Sequence, residues 1–333
     1  MPKYSIIVPV YNRPNETEEL LESLAVQQFI DFELILVEDG SSETSKHLAE
    51  KYSQKIDLKY FFKENTGPGD SRNFGMEKAS GNYFLFFDSD CVIPADYMSK
   101  ADELLSITKL DAFGGPDNAH ESFSNTQKAI NYAMTSFFTT GGIRGGRKQL
   151  DKFQPRSFNM GFSREVYENT GGFSDIHPGE DPDLSYRIMK GGYKVGLIRE
   201  CFVYHKRRID FGKYLKQVYK FGVVRVVLNK WHPDKTSPVF MLPTLFLLGS
   251  LFCLASATIS LWALGPLAVF SVLILLDSLL RSKSVVISFK ALVASFIQLY
   301  GYGYGYLKSY YLLNLLGKKE RVALRSFFAE GRK

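Results

Sequence analysis

Residues 82–94, "NYFLFFDSDCVIP", run through five aromatic or aliphatic side chains and stop at two aspartates with one serine between them. An apolar run of this length, bounded by turn-forming residues, describes a strand buried on both faces, as in a parallel sheet with helices above and below. The stretch predicts a central strand over 83–88 with Asp88 and Asp90 at its carboxyl end. If the pleat continues, the two carboxylates point the same way and can share a divalent cation, or divide between a metal and a ribose hydroxyl. A magnesium or manganese ion with so few protein ligands is completed by phosphate oxygens and water, so its natural guest is a nucleoside diphosphate. Asp and Ser are equally at home in a capped turn, and the pair acquires meaning only from its surroundings.

Outward from this strand, others are expected over 5–10, 33–38 and 57–62, near 112–115 and around Val195. Between the first two, "RPNETEELLESLAVQQF" offers Pro14 as a helix start and Leu20, Leu21, Leu24 and Ala25 as one apolar face. Strand and helix in alternation mean an α/β domain, a mostly parallel nucleotide-binding sheet flanked by helices. Ligands of such sheets sit beyond the carboxyl ends of the strands, where "PVYN" (with Pro9 and Tyr11), "EDGSS" and "DSD" all fall. These stretches are expected to converge on one crevice.

Each stretch carries its own chemistry. Asp39, at the end of "FELILVED", can accept hydrogen bonds from a ribose or a base imide. "NTGPGDSRNFG" is a glycine loop leading into a helix whose first turn is expected to hold Arg72 and Asn73, with the arginine able to pair with a diphosphate. In "GEDPDLSYRIMKGG", Glu180 and Asp181 follow a glycine and open a helix, whose dipole favours the ionised carboxylate. An acidic first turn also stabilises a helix without any further role. The basic, glycine-rich "TTGGIRGGRKQ", with Arg144, Arg147 and Lys148, reads as a loop that closes over an anion or as plain surface.

The order and spacing of "SIIVPVYNRP", "VEDGSS", "ENTGPGDSRNFGMEKASGNYFLFFDSD" and "GGFSDIHPGEDPDLSYRIMKGGYKV" resemble the family 2 glycosyltransferases, which have a GT-A type fold, from Tyr4 to about Arg225. The resemblance implies that Asp39 meets the nucleotide base or ribose, that Asp88 and Asp90 are the family's DxD pair, and that Asp90 holds the metal. The expected donor-binding set is Pro9, Tyr11, Asp39, Arg72, Asp88, Ser89 and Asp90, and the expected metal ligands are Asp90, Asp88 and His205 of "VYHKRR". It also gives the base that deprotonates the acceptor to the acidic pair, Asp181 first and Glu180 as the alternate, with Asp183 part of the helix start. Two departures stand out. Cys91 occupies the place where the family often has a further acid, and "QVYKFG" has Lys220 and Phe221 where processive synthases have Arg and Trp.

The 333 residues, with 41 Lys+Arg against 35 Asp+Glu, carry a formal net charge of +6. That excess suits an anionic ligand or membrane surface and is too small and too evenly spread to indicate nucleic acid. Cys91, Cys201 and Cys253 show no CxxC spacing, which suits a reducing compartment. The apolar run at the start meets Pro9 early, so it reads as a strand and not a signal peptide. After Cys201, "FGKYLKQVYKFGVVRVVLNKW" interleaves apolar positions with Lys213, Lys216, Lys220 and Arg225, as in a basic helix lying on a membrane. Residues 239–264 and 267–280 are almost wholly apolar and predict a transmembrane hairpin turning at Gly265-Pro266. The segment 285–316 carries "YGYGYGY", and basic residues flank it on both sides, so it is expected to dip into the bilayer and return, with a full span as the other option.

The expected organisation is a catalytic domain at 1–210, an amphipathic interface helix at 211–235, an α-helical membrane region at 236–316 and a basic tail at 317–333. The expected activity is metal-dependent (Mn2+ or Mg2+), inverting sugar transfer from a nucleoside-diphosphate sugar, UDP first, to a lipid-linked or glycan acceptor. The enzyme is placed at the inner membrane, multi-pass, with catalytic domain and tail cytosolic. The competing readings are a polyprenyl-phosphate sugar synthase and a non-catalytic membrane scaffold of the same fold.

Overall fold

The computed structural model describes residues 2–118, 123–141, 153–205 and 210–320. Its first unit, Met1–His120 with Phe153–Lys206, is the α/β part. The strands are β1 (Tyr4–Val10), β2 (Phe32–Asp39), β3 (Asp57–Lys63), β4 (Tyr83–Phe87), β5 (Cys91–Val92), β6 (Ala112–Gly114), β7 (Asp117–Asn118), β8 (Asn159–Ser163), β9 (Val195–Leu197) and β10 (Val203–His205). Seven of them form one sheet in the order β3-β2-β1-β4-β8-β6-β9, and β5-β10-β7 form a second, small one. The helices of this unit are α1 (Pro14–Ala25), α2 (Lys46–Tyr52), α3 (Pro68–Lys78), α4 (Tyr97–Thr108), α7 (Arg164–Thr170) and α8 (Glu180–Lys190), where α5 and α6 are the two helices of the intervening segment described below.

The opening stretch behaves as its composition requires. Phe84, Leu85, Phe86 and Phe87 are fully buried, and alternate residues serve opposite faces of the sheet. Leu85 and Phe87 join Ile6, Val8, Leu34 and Leu36 against Leu20, Leu24, Met98 and Ala101. Phe84 and Phe86 join Ile7, Ile35 and Val37 against Met76, Val166, Leu184 and Ile188. Burying each of these side chains contributes about 1.5–3 kcal/mol, so the end of β4 is held in place by packing on two sides.

The strand the sequence does not announce is β8, "NMGFS", which runs antiparallel between β4 and β6. Its middle residue is Gly161, and a Cβ there would stand 2.6 Å from Phe113 and 2.7 Å from Leu85. The neighbouring large side chains take the space, so the strand lacks the apolar run that marks a buried strand.

The second unit comprises Glu121–Lys152 and Arg207–Lys333. It contains α5 (Asn125–Thr135), α6 (Phe137–Thr140), α9 (Phe211–Trp231), α10 (Leu242–Ser256), α11 (Gly265–Ser282) and α12 (Val285–Tyr310). The stretch 1–210, expected as one domain, is divided between the two units. Ser124 closes a capping box at the start of α5, and Ile130, Ala133 and Met134 of that helix share a core with Tyr214, Val218 and Ala294.

Three segments are long and apolar enough to cross a membrane: Pro238–Ser256, Leu261–Ser282 and Val285–Leu315. Their details differ from the sequence reading in two places. The break between the first two falls at 257–260, and Gly265-Pro266 instead begins α11, where a proline is tolerated in the first turn. The segment expected to dip and return is one unbroken helix, with the glycines of "YGYGYGY" inside it. They do not break α12 because they are its contact surface. A Cβ on Gly303 would lie 2.5 Å from the Pro243 carbonyl oxygen, one on Gly305 2.3 Å from that of Tyr219, and one on Gly222 of α9 2.1 Å from that of Tyr302. This is close backbone packing of the kind small residues allow between membrane helices. In α9, expected as an amphipathic interface helix, Tyr214, Val218 and 222–228 are buried, and Tyr214 donates to Gln298 Oε1 at 2.6 Å.

Candidate active site

The residues expected to act together lie in the first unit, at the carboxyl ends of β1, β2 and β4 and the amino end of α8. β4 ends at Phe87, and the chain turns at once, with the Cys91 N–H donating to the Asp88 carbonyl at 3.1 Å. The pleat does not continue through Asp90, and the two aspartates diverge. Of the two arrangements expected, a shared cation or a division of roles, the contacts favour division: Asp88 pairs with Arg72 at 2.7 Å, whereas Asp90 pairs with Arg13 and lies 3.2 Å from His205 Nε2. Among the described residues, the cluster suited to a metal is Asp90, Cys91 and His205, without Asp88.

Arg72 is the hub of the Asp88 side. It belongs to the second turn of α3, since Pro68 opens that helix one turn earlier than the sequence suggested. Its buried guanidinium joins Asp88 Oδ1 to Glu180 Oε1, at 2.7 and 3.2 Å, and lies over the Phe173 ring. Burial works against its charge, but the two carboxylates outweigh it and hold the proton more firmly than usual.

The acidic pair opens α8 behind Gly179, as expected, and its two members differ sharply. Glu180 is buried and accepts from Arg72 and from His177, whose Nδ1 is 3.2 Å from Oε2. Burial alone would raise its pKa, yet His177 and Arg72 hold it well below the usual carboxylate range. Asp181 has 20% of its side chain exposed, with Arg156 Nη1 at 3.7 Å. Asp183 is buried and held by Arg187, which also donates to the Thr170 and Gly172 carbonyls, so it fixes the turn before α8.

At Asp90, burial would favour the protonated acid, and His205 and Arg13 together drive its pKa well below the ordinary range. Oδ1 of Asp90 is buried and accepts no hydrogen bond among the described residues. An anionic oxygen left this way beside an imidazole nitrogen is a donor pair that suits a divalent ion of the manganese kind. Asp39 lies at the carboxyl end of β2. Its carboxylate accepts from Lys63 Nζ at 2.8 Å, Thr66 N at 3.0 Å and Gly67 N at 2.9 Å, so it anchors the glycine loop before α3. Pro9 is half-buried, Tyr11 is 52% exposed, and Ser89 is buried in the turn between the aspartates. The loops are tied together by Asn12, whose side-chain oxygen accepts from the Ser42 and Glu43 N–H groups at 2.8 and 3.1 Å.

Arg13, His177, Arg156 and Asp117 are the site residues the sequence reading passed over. Arg13 and His177 had a signal, since the one stands in "PVYNRP" at a strand end and the other three residues before Glu180; Arg156 and Asp117 are brought in by tertiary contacts alone. Arg144, Arg147, Lys148, Arg207, Arg208 and the tail residues Arg321, Arg325, Arg332 and Lys333 lie outside the described residues.

Comparison with known proteins bears on this arrangement. The model of glycosyl transferase family 2 matches residues 5–171. Glycosyltransferase AglE of Haloferax volcanii is 25% identical over 258 residues, 75% of this chain and 82% of that protein. An uncharacterized glycosyltransferase of Rickettsia felis is 31% identical over 137 residues, 41% of this chain; the chain spans 22% of that protein's length. The mannosyltransferase PcManGT of Pyrobaculum calidifontis, solved in complex with GDP-Man and Mn2+, shares the fold, with a TM-score of 0.65 at 17% identity over 90% of this chain and 87% of that one. With half its length matched by the family model and its sheet carrying the matched motifs at the strand ends, the chain belongs to glycosyl transferase family 2.

Proposed function

We propose that this protein is a membrane-bound inverting glycosyltransferase that moves a sugar from a nucleoside-diphosphate donor, UDP first, to a lipid-linked or glycan acceptor. The observation that carries the reading is the link from Asp88 through buried Arg72 to Glu180, which ties the donor side of the cluster to the acidic start of α8. An inverting transfer needs a donor held by its diphosphate and a base on the acceptor side, and the two must be fixed relative to each other. Asp181 is the better base of the acidic pair because it keeps some solvent access, whereas Glu180 is committed to Arg72 and His177. Arg72 and Arg13 neutralise the carboxylates around the diphosphate position. Asp90 and His205 would hold a divalent ion here, Mn2+ or Mg2+, which when bound would supply positive charge for the departing diphosphate. PcManGT, with GDP-Man and Mn2+ bound, supports a donor and metal of these classes. The apolar helices support a multi-pass membrane protein, and the catalytic unit is placed on the cytosolic side of the inner membrane.

A thermal-shift panel of nucleoside diphosphates and their sugars with Mn2+, followed by transfer from the stabilising sugar nucleotide, tests this. The expected result is one nucleotide that raises the melting temperature and a Mn2+-dependent turnover that Asp90→Ala abolishes. Binding without turnover would favour the non-catalytic scaffold.

A further inference from the structure

Beside the oxygen of Asp90 and the nitrogen of His205 lies an atom of different chemistry. Asp90, Cys91 and His205 each offer a ligand atom within 4.8 Å of the other two. The backbone builds this arrangement. β5 and β10 pair antiparallel with Cys91 directly opposite His205, so both side chains leave the same face of the small sheet. Phe158 braces both: its ring stacks on His205 at 4.9 Å, and its carbonyl oxygen is 3.5 Å from Cys91 Sγ. On the other side of the imidazole, Asp117 Oδ2 stands 3.9 Å from Nδ1, while Nε2 faces Asp90. At 3.9 Å the Asp117 carboxylate is beyond hydrogen-bond length, but its charge favours a proton on Nδ1, which leaves Nε2 for an ion.

We propose that Cys91 Sγ is a metal ligand in this chain, making the divalent site an Asp90–Cys91–His205 set that takes borderline ions of the zinc and cobalt class, and manganese before magnesium. The inference rests on the divalent site proposed above and narrows it. A thiolate and an imidazole with one carboxylate are poor donors for magnesium, which demands oxygen ligands in near-octahedral geometry. Binding breaks the S–H bond, forms the sulfur–metal bond and releases the proton to solvent. Cys91 is fully buried, so an ion arriving there meets its sulfur in a site shielded from water.

The test uses the full chain in detergent, titrated with Co2+ and followed by near-ultraviolet absorption. The expected result is a thiolate-to-cobalt charge-transfer band that Cys91→Ser removes and that Cys201→Ser and Cys253→Ser leave intact. In competition experiments, Cys91→Ser is expected to weaken Zn2+ binding about 10- to 100-fold while changing Mn2+ binding much less. An unaltered protein that binds Co2+ without the band overturns the proposal whether or not any variant folds. So does a band that survives Cys91→Ser, or an equal loss for Zn2+ and Mn2+. The two readings fail separately: Mn2+-dependent turnover with no sulfur band leaves the glycosyltransferase proposal standing and removes the thiolate. A sulfur band in a protein with no Mn2+-dependent turnover does the reverse.

Discussion

Replacing Asp181 by Asn separates a base from a structural acid, because the two neighbouring carboxylates are embedded so differently. Asp181 faces Arg156 at 3.7 Å with 20% and 17% of the two side chains exposed, a pair worth about 0–1 kcal/mol. Asn is nearly isosteric, so the Asp181→Asn protein is expected to fold with stability within about 1 kcal/mol of the unaltered chain. If the carboxylate removes the acceptor's proton, turnover falls by about 10²–10⁴, which is roughly 3–5 kcal/mol of barrier. Glu180→Gln should show the opposite pattern. Its side chain is 6% exposed and pairs with an Arg72 that is 3% exposed, so removing its charge breaks a buried network and costs about 3–5 kcal/mol of stability. The assay is turnover of the sugar nucleotide with acceptor at saturating donor, read beside thermal unfolding in the same detergent. Turnover of Asp181→Asn within a few-fold of the unaltered enzyme would refute the base assignment. It would favour an acceptor that arrives already ionised, such as the lipid phosphate of a polyprenyl-phosphate sugar synthase.

Three further predictions follow from the geometry. His205→Ala should weaken Mn2+ activation about 10- to 100-fold in a metal titration of activity, and an unchanged titration would remove His205 from the site. Glu33 is fully buried and accepts from Ser5 Oγ, Ser80 N and Oγ, Gly81 N and Lys59 Nζ; against the effect of burial, these hold its pKa down to about 2. Because its folded pKa is below the unfolded one, its contribution of about 3 kcal/mol is complete above about pH 4.5 and is lost as the pH falls through 2. Denaturant titrations should show that fall, and in Glu33→Gln this part of it should be absent. Gly222→Ala places a methyl group 2.1 Å from the Tyr302 carbonyl oxygen and should cost about 1–3 kcal/mol in detergent unfolding, whereas Gly249→Ala, with nothing within 4 Å, should be near neutral. Equal effects of the two would show that α9 and α12 are not in backbone contact.

Much of the fold was legible because its signals are local. The run "YFLFF" reads as a strand covered on both faces, Pro14 marks a helix start, and the long apolar segments declare themselves by length. The motifs also fixed which carboxylates gather at the strand ends. What the sequence by itself did not determine depends on contacts between distant residues. β8 was hidden because Gly161 yields its space to Phe113 and Leu85, and the helix-breaking look of "YGYGYGY" reversed once α9 and α10 were found against it. For Asp88 and Asp90, two residues apart, the sequence left a shared cation and a division of roles both open. Tertiary structure separated them because the chain turns after Phe87, giving Asp88 to Arg72 and Asp90 to Arg13 and His205. Sequence spacing sets which side chains are near along the chain; the pairing of charges across β4, α3, α8 and β10 is decided only by folding, which buries those charges and makes each carboxylate take the partner within reach.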